Sequence, residues 1–372
     1  MSLIEAEIVS SIESHNVEIE CVDYVECYVG NLRMAEHFYS TALGFTPIAY
    51  AGLETGSRDR TSFLMQQGEI RVLLTAGLAP ESDACEQVRM HGDTVKDIAF
   101  RVSDADRAFE VALERGAIPV TEPLRYETER GCFKKSTIAG LGHTLHSFIE
   151  REAPLQHAMP GFQPIAEQKP HFEPGLSEID HIALSVEQGG LDEAVDFYRQ
   201  VLGFRLSHQE DVSTEYSAMN SKAVQNPAGT VRFPIMEPAA GRRRSQIEEY
   251  LAFHRGPGAQ HIAFLSGNIA QAVRALKAHR VDFLRTPDTY YNMLGDRVGE
   301  IEEDLDTLRE LSILVDRDEW GYLLQIFSKP LHNRPTLFIE VIQRIGARGF
   351  GGGNIKALFE SMEREQALRG NL

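Results

Sequence analysis

The chain has 372 residues, 42% hydrophobic and 25% charged, which is ordinary for a globular protein and long enough for two or three domains around a sizeable core. Its formal net charge of −18 argues against a nucleic-acid or anionic-membrane surface, since both need local positive charge, and no apolar run approaches the roughly 20 residues of a membrane span. The four cysteines (Cys21, Cys27, Cys85, Cys132) show no CxxC spacing, and MSLIEAEIVSSIESH carries acids where a signal peptide needs bases, so neither a zinc site nor a disulfide framework is favoured and a reduced cytoplasmic setting fits.

Residues 1–20 read as a loosely attached lead-in. Val22–Val29 (VDYVECYV) is then a strand, and Leu32–Leu43 a helix closed by Gly44 in the position that favours a left-handed cap. Thr61–Leu74 reads as a hairpin and Lys96–Val102 (KDIAFRV) as a further strand. Ser103 is placed to cap a helix with Ala105, Ala108, Phe109, Ala112 and Leu113 on one face and Gly116 at its end. Thr144–Ile149 closes this half as a strand. Pro154, Pro160, Pro164, Pro170 and Pro174 break any regular element, so 151–177 reads as a linker.

After the linker the order returns. Ile179–Val186 (IDHIALSV) echoes VDYVECYV, Phe197–Phe204 (FYRQVLGF) echoes Phe38–Phe45 (FYSTALGF), and QHIAFLS echoes KDIAFRV. Ile269, Ala272, Val273 and Leu276 repeat the amphipathic helix. An echo at this period marks a duplicated unit. The expected class is α+β: β-α-β-β-β units paired into one open, barrel-like sheet per half, with a C-terminal helix. The expected divisions are 1–150, the linker 151–177, a catalytic module 178–348, and a glycine-hinged lid helix 349–372. The basic run Arg242–Arg244 reads as a solvated loop.

Three apolar strand phrases each carry one group suited to a metal. His181 lies in IDHIALSV, His261 in GPGAQHIAF, and Glu340 in TLFIEVIQR. A lone histidine in such a strand is ordinarily a packed core residue. The first half, however, keeps the strand phrases with Tyr24 and Asp97 in place of the two histidines, and a region around Phe148 near the place of Glu340. The fold phrase therefore does not need the histidines. Two imidazoles and a carboxylate can form the facial triad of a non-haem iron(II) site, leaving positions open for substrate and oxygen. A cation would also remove the cost of a carboxylate inside a hydrophobic strand.

These phrases, with SQIEEYL, TPDTYY, LLQIF and the tail FGGGNIKALFESMEREQALRGNL, resemble the 4-hydroxyphenylpyruvate dioxygenase and 4-hydroxymandelate synthase family of the vicinal oxygen chelate superfamily. The resemblance covers nearly the whole chain. It implies Fe(II) held by His181, His261 and Glu340, with no catalytic residue beyond the metal centre. It further implies polar pocket positions at Ser221, Gln246, Gln260, Gln325 and Asn354, and ring-packing positions at Phe327, Phe350 and Ile355. A 2-oxo acid would chelate the iron, O2 would take the remaining position, and the arylpyruvate's own 2-oxo group would supply two electrons on decarboxylation. Small-molecule partners and a homo-oligomer are the family expectation.

Product is where the two kinds of enzyme part. Ring attack with side-chain migration gives homogentisate, whereas benzylic hydroxylation gives 4-hydroxymandelate. Met236 stands where the dioxygenases usually show asparagine, and Ile355 where they show phenylalanine. Both are synthase-like, as is MNSKAVQ (Met219–Gln225), while Pro234 is dioxygenase-like. The sequence thus favours 4-hydroxymandelate, with homogentisate or a related arylpyruvate oxygenation as the alternative. An extradiol dioxygenase and a metal-free binding module of the superfamily are further readings. Gly349–Gly353 lacks the Gly-Lys-Ser/Thr of a phosphate loop. It reads instead as a hinge, with Asn354 capping a helix that lids the pocket through Ile355, Leu358, Phe359 and Met362 and excludes water.

Overall fold

The computed structural model describes residues 17–128 and 131–370, so most of the expected lead-in lies outside the described residues. Two large sheets dominate. In chain order the first is built from β1 (Ile19–Tyr28), β2 (Thr46–Ala51), β3 (Arg60–Gln67), β4 (Ile70–Gly77), β5 (Thr94–Val102), β6 (Pro119–Thr128), β7 (Gly131–Ala139), β8 (Leu145–Arg151) and the short β9 (Gln163–Pro164). The second comprises β10 (Leu176–Ser185), β11 (Arg205–Ser213), β12 (Ala218–Gln225), β13 (Arg232–Ala239), β14 (Gly258–Ser266), β15 (Leu314–Arg317), β16 (Tyr322–Phe327) and β17 (Phe338–Ile345). Their orders are β6-β7-β8-β5-β1-β4-β3-β2-β9 and β11-β12-β13-β10-β14-β17-β16-β15. Each is two β-α-β-β-β units joined along one antiparallel seam, β1 with β5 and β10 with β14. Parallel partners flank the seam, β4 and β8 in the first sheet and β13 and β17 in the second.

The crossover helices α1 (Leu32–Thr41), α2 (Ala105–Glu114), α3 (Leu191–Val201) and α4 (Ile269–Ala278) follow the seam strands. Strand alternation decides what each face carries. Ile182 and Leu184 of β10 enter a large core shared by both halves, while His181 and Ala183 point to the opposite, concave side. One cap here differs from expectation. Asp104, not Ser103, caps α2, its carboxylate accepting from the Arg107 amide. A carboxylate one residue nearer the first turn reaches the unpaired amides that Ser103 cannot. The linker is also not wholly irregular: Leu155–Ala158 forms one helical turn, and β9 adds to the edge of the first sheet beside β2. Pro154 is tolerated as the cap of this turn because a helix start needs no amide donor there. Among the described residues, no helix is long and apolar enough to cross a membrane.

Buried histidines tie the halves together. His146 of β8 meets the Tyr198 hydroxyl of α3 at 2.9 Å and stacks on Phe100. His254 meets the Thr94 hydroxyl at 2.9 Å and donates to the Gly256 carbonyl at 2.8 Å. Burial lowers the pKa of each ring to about 4. On acidification the unfolded chain takes up these protons near pH 6.5, and the native protein does not until about pH 4. Stability is therefore full above pH 6.5 and is lost as the pH falls through that window. Each ring should cost about 2 kcal/mol at pH 5. Urea midpoints measured from pH 7.5 to 5 should fall accordingly, and His146→Gln with His254→Gln should flatten the slope.

Candidate metal centre and its pocket

Register assembles the centre. His181, Ala263 and Glu340 lie on one rung across β10, β14 and β17, and His261 sits on the next rung, between Ala183 and Phe338. The small side chain of Ala263 leaves open the space that the other three groups enter. The Glu340 carboxylate oxygen Oε2 is 3.2 Å from His181 Nε2 and 3.4 Å from His261 Nε2. One donor atom from each of the three lies within 4.8 Å of the others. All three residues are buried. A bulge shapes this corner. Ala183 pairs with His261 but Leu184 pairs with Ala259, so Gln260 is the extra residue and both it and His261 reach the pocket.

Neighbours set the tautomers. The Nδ1 of His181 is 2.8 Å from Asp180 Oδ1, and the Nδ1 of His261 is 3.3 Å from Gln260 Oε1. With Nδ1 carrying the proton toward these acceptors, both Nε2 lone pairs are turned to the centre. Asp180 is itself gripped by a two-pronged Arg344 fork at 2.6 and 2.7 Å. Burial presses the His181 ring toward neutrality, yet Glu340 and Asp180 outweigh it and raise its pKa to about 9. Burial pushes the Glu340 carboxyl up, but the two imidazoles overcome this and pull it down to about 2. His261 is lowered, by burial and against the pull of Glu340. A divalent transition metal would displace the Nε2 proton that Glu340 holds on His181, and the set would then offer it two neutral nitrogens and one carboxylate oxygen on one side of an open space.

The first half shows what the same architecture does without the triad. Its register places Tyr24, Asp97 and Ser147 at the positions of His181, His261 and Glu340, which narrows the expected region around Phe148 to Ser147. A one-residue shift moves a side chain to the other face, and Phe148 belongs to the shared core. Into this place comes the Lys135 ammonium, 2.9 Å from the Tyr24 hydroxyl and 3.1 Å from Asp97 Oδ2, while Ser147 donates to Asp97 at 2.6 Å. Burial works against its charge, but Tyr24, Asp97 and Glu26 hold the Lys135 pKa well above the usual value. An internal cation thus stands where the second half has its triad. The Asp–Arg fork persists here as Asp23 with Arg151, at 2.7 Å, so that fork belongs to the architecture and its contact with an imidazole is the addition. A second acidic group, Asp104, Asp106 and Glu150, has Lys134 on two of its members at 2.7 and 3.0 Å.

Above the triad lies a narrow pocket. Of the expected pocket residues, Ser221, Pro234, Met236, Gln246, Gln260, Gln325, Phe327, Phe350 and Ile355 line it. Asn354 does not. It stands behind Gln325, donating to its Oε1 at 3.0 Å and accepting from the Tyr290 hydroxyl at 2.6 Å. Gln325 in turn donates to Glu340 Oε1 at 2.9 Å, so Asn354 orients the carboxylate at one remove. Nor does Asn354 cap the last helix, α5 (Gly352–Arg369). Gly351 does, at φ 75°, a left-handed conformation that glycine adopts without a side-chain penalty. Helix α5 lies over the pocket with Ile355, Leu358 and Phe359. Arg369 clasps Glu249 at 2.6 Å and Glu363 accepts from Ser217 at 2.5 Å. Sequence reasoning missed His208, Glu210, Met219 and Ala223 on the wall. Arg205–Ser213 lacks the apolar alternation that would have marked β11 as a strand.

The comparisons with known proteins agree with this construction. A family model described as the N-terminal part of hydroxyphenylpyruvate dioxygenase matches residues 15–156, and the glyoxalase/bleomycin resistance protein/dioxygenase superfamily model matches 178–326. The 4-hydroxyphenylpyruvate dioxygenase of Yarrowia lipolytica is 40% identical, covering 94% of this chain and 93% of that protein. That of Danio rerio is 42% identical over 94% and 91%. Among solved structures, a triple mutant of 4-hydroxymandelate synthase from Streptomyces coelicolor aligns at a TM-score of 0.86 and 36% identity, covering 94% of this chain and 99% of that one.

Proposed function

The chain belongs to the 4-hydroxyphenylpyruvate dioxygenase family of the vicinal oxygen chelate superfamily, and from that premise we propose that it is an iron(II)-dependent dioxygenase of 4-hydroxyphenylpyruvate. The observation that carries the reading is the buried His181, His261 and Glu340 set at the floor of an aromatic-walled pocket. These three residues would hold the iron, which would supply chelation of the 2-oxo acid and redox capacity toward O2. The rest is positioning by this chain. Asp180 and Gln260 hold the two imidazoles in the ligating tautomer, Gln325 fixes Glu340, and Phe327 and Phe350 stand edge-on to His261 and His181 at 6.0 and 5.3 Å. The Gln246–Gln260 amide pair, 2.7 Å apart, offers neutral polar contacts beside the centre. Helix α5 keeps water from the reacting groups, and its glycine hinge gives it a way to open.

The names of the relatives favour ring hydroxylation and homogentisate, ahead of the benzylic product that the pocket residues suggest from sequence. The second reading keeps one specific support: Met236 and Ile355 both line the pocket. A shorter side chain at 355 leaves room for the ring to turn, and Met236 gives no amide to hold it. Incubating iron-loaded protein with 4-hydroxyphenylpyruvate and O2 and identifying the product decides between them. Formation of neither homogentisate nor 4-hydroxymandelate overturns the proposal. If the product is 4-hydroxymandelate, Ile355→Phe should divert at least about a tenth of turnover to ring hydroxylation, since repositioning by a fraction of an ångström redirects reaction. Chromatographic product ratios check this. Turnover of a catechol with no 2-oxo acid would point instead to an extradiol enzyme.

A further inference from the structure

The wall opposite the triad carries a polar pair that the proposed chemistry does not use. Across β11, β12 and β13, Glu210, Ser221 and Met236 share one rung, and His208, Ala223 and Pro234 share another. All six line the pocket. The imidazole of His208 lies against Phe350, ring centroids 6.3 Å apart, and Phe350 in turn lies against His181. The pair thus stands one aromatic ring away from the metal centre, on the side away from β14 and β17. His208 Nε2 is 3.5 Å from Glu210 Oε2, an ion-pair contact too long for a good hydrogen bond. That oxygen is inaccessible to solvent and has no hydrogen-bond partner. Its carboxylate is pressed against the start of α5, where a Cβ added at Gly352 would come 2.0 Å from Oε1. Glycine at 352 is what lets the acid stay in the wall.

A buried carboxylate oxygen without a partner costs free energy until a donor reaches it. On its own rung Met236 has no donor to give, and Asp316 and Asp318 on the neighbouring cleft add negative field, which disfavours an acceptor and favours a donor. Resting on the arylpyruvate reading above, we propose that Glu210, steadied by His208, reads the far end of the substrate ring by accepting a hydrogen bond from its phenolic hydroxyl. The wall then selects 4-hydroxylated arylpyruvates over unsubstituted phenylpyruvate. A purely structural role, as a negative charge at the N-terminus of α5, would affect stability without affecting this selection.

The test is equilibrium binding of 4-hydroxyphenylpyruvate and of phenylpyruvate to the anaerobic, iron-loaded protein, measured by calorimetry for the wild type, E210L and E210Q, with kcat/KM ratios alongside. A hydrogen bond to a charged acceptor corresponds to a preference of about ten- to a hundredfold. The wild type should show this preference, E210L should lose it with phenylpyruvate affinity little changed, and E210Q should lose it in part. E210Q keeps the shape of the wall and serves if E210L does not fold. A ratio unmoved in these variants, with or without a change in thermal midpoint, overturns the role of Glu210 alone. Failure of the wild type to bind either acid overturns the arylpyruvate reading and this inference with it.

Discussion

Replacing Glu340 by glutamine should remove iron from the protein, from about one per chain to near none, and lower turnover at least about a thousandfold. That exceeds the ten- to hundredfold typical of losing an outer-shell partner, because the change strikes a ligand and the only negative charge among the three. Glutamine preserves volume and can still accept from Gln325, so the strand should keep its packing. In the metal-free protein the same carboxylate, 3.2 Å from His181 Nε2, holds that ring's pKa up at about 9. His181's folded value lies above its unfolded one and Glu340's, at about 2, lies below, so this pair's stabilisation is full only between about pH 4.5 and 6.5; it is lost as the pH rises through about 9 and again as it falls toward about 2. In the glutamine variant much of that high-pH slope should disappear. Metal analysis, turnover and pH-dependent unfolding check the three parts. Stoichiometric iron with full turnover in this variant would refute the three-ligand assignment.

Replacing Lys135 by methionine should destabilise the first half by roughly 2–4 kcal/mol, somewhat below what is typical of breaking a fully buried pair, because 30% of the lysine side chain is exposed. The stem is matched in length, so little packing is lost. What goes is the cation that Asp97 faces. Asp97 is 2% exposed, and its Oδ1 already has no partner. Removing the acid as well, in Lys135→Met with Asp97→Asn, should recover a large part of the loss, and urea denaturation of the two single variants and the pair measures the coupling. Because Lys135 lies in the sheet without the triad, iron binding should survive in the folded fraction. A Lys135→Met protein as stable as the parent would show that the ammonium is not what balances this cluster.

The two replacements bear on one design. Both seams place a rung of side chains on the concave face of a sheet, and both must neutralise acids there. One half does so with a lysine from within the chain, while the other turns into the same space three groups that could hold a metal. That division was partly visible in the amino-acid order. The echo of FYSTALGF by FYRQVLGF, and of KDIAFRV by QHIAFLS, marks the duplication, and the exchange of Tyr24 and Asp97 for His181 and His261 marks which half is equipped for a metal. These signals are local: each depends on strand or helix periodicity within some ten residues. Gly44 is left-handed at φ 77° as its place suggests, although the helix before it ends two residues sooner than expected, at Thr41 with Ala42 as its cap.

Other features depend on which strands become neighbours. That Ser147, within the region around Phe148, is the residue that answers to Glu340, that Lys135 fills the vacated place, and that a bulge turns Gln260 toward the pocket all follow from register, and pairing across dozens of residues leaves no periodic mark. Asn354 looked like a helix cap by its place after three glycines, yet the left-handed turn at Gly351 started the helix earlier and carried Asn354 inward to Gln325. Strand β11, polar along most of its length, brings Glu210 beside Ser221 only because three strands align. The chain's order by itself determined the repeated units, the helix ends set by glycine and the three residues able to hold a metal, since backbone preference and alternation act over short stretches. Only the tertiary structure decided which side chains share a rung and so which charges must be balanced, because those energies arise when distant strands are brought within about 5 Å of each other.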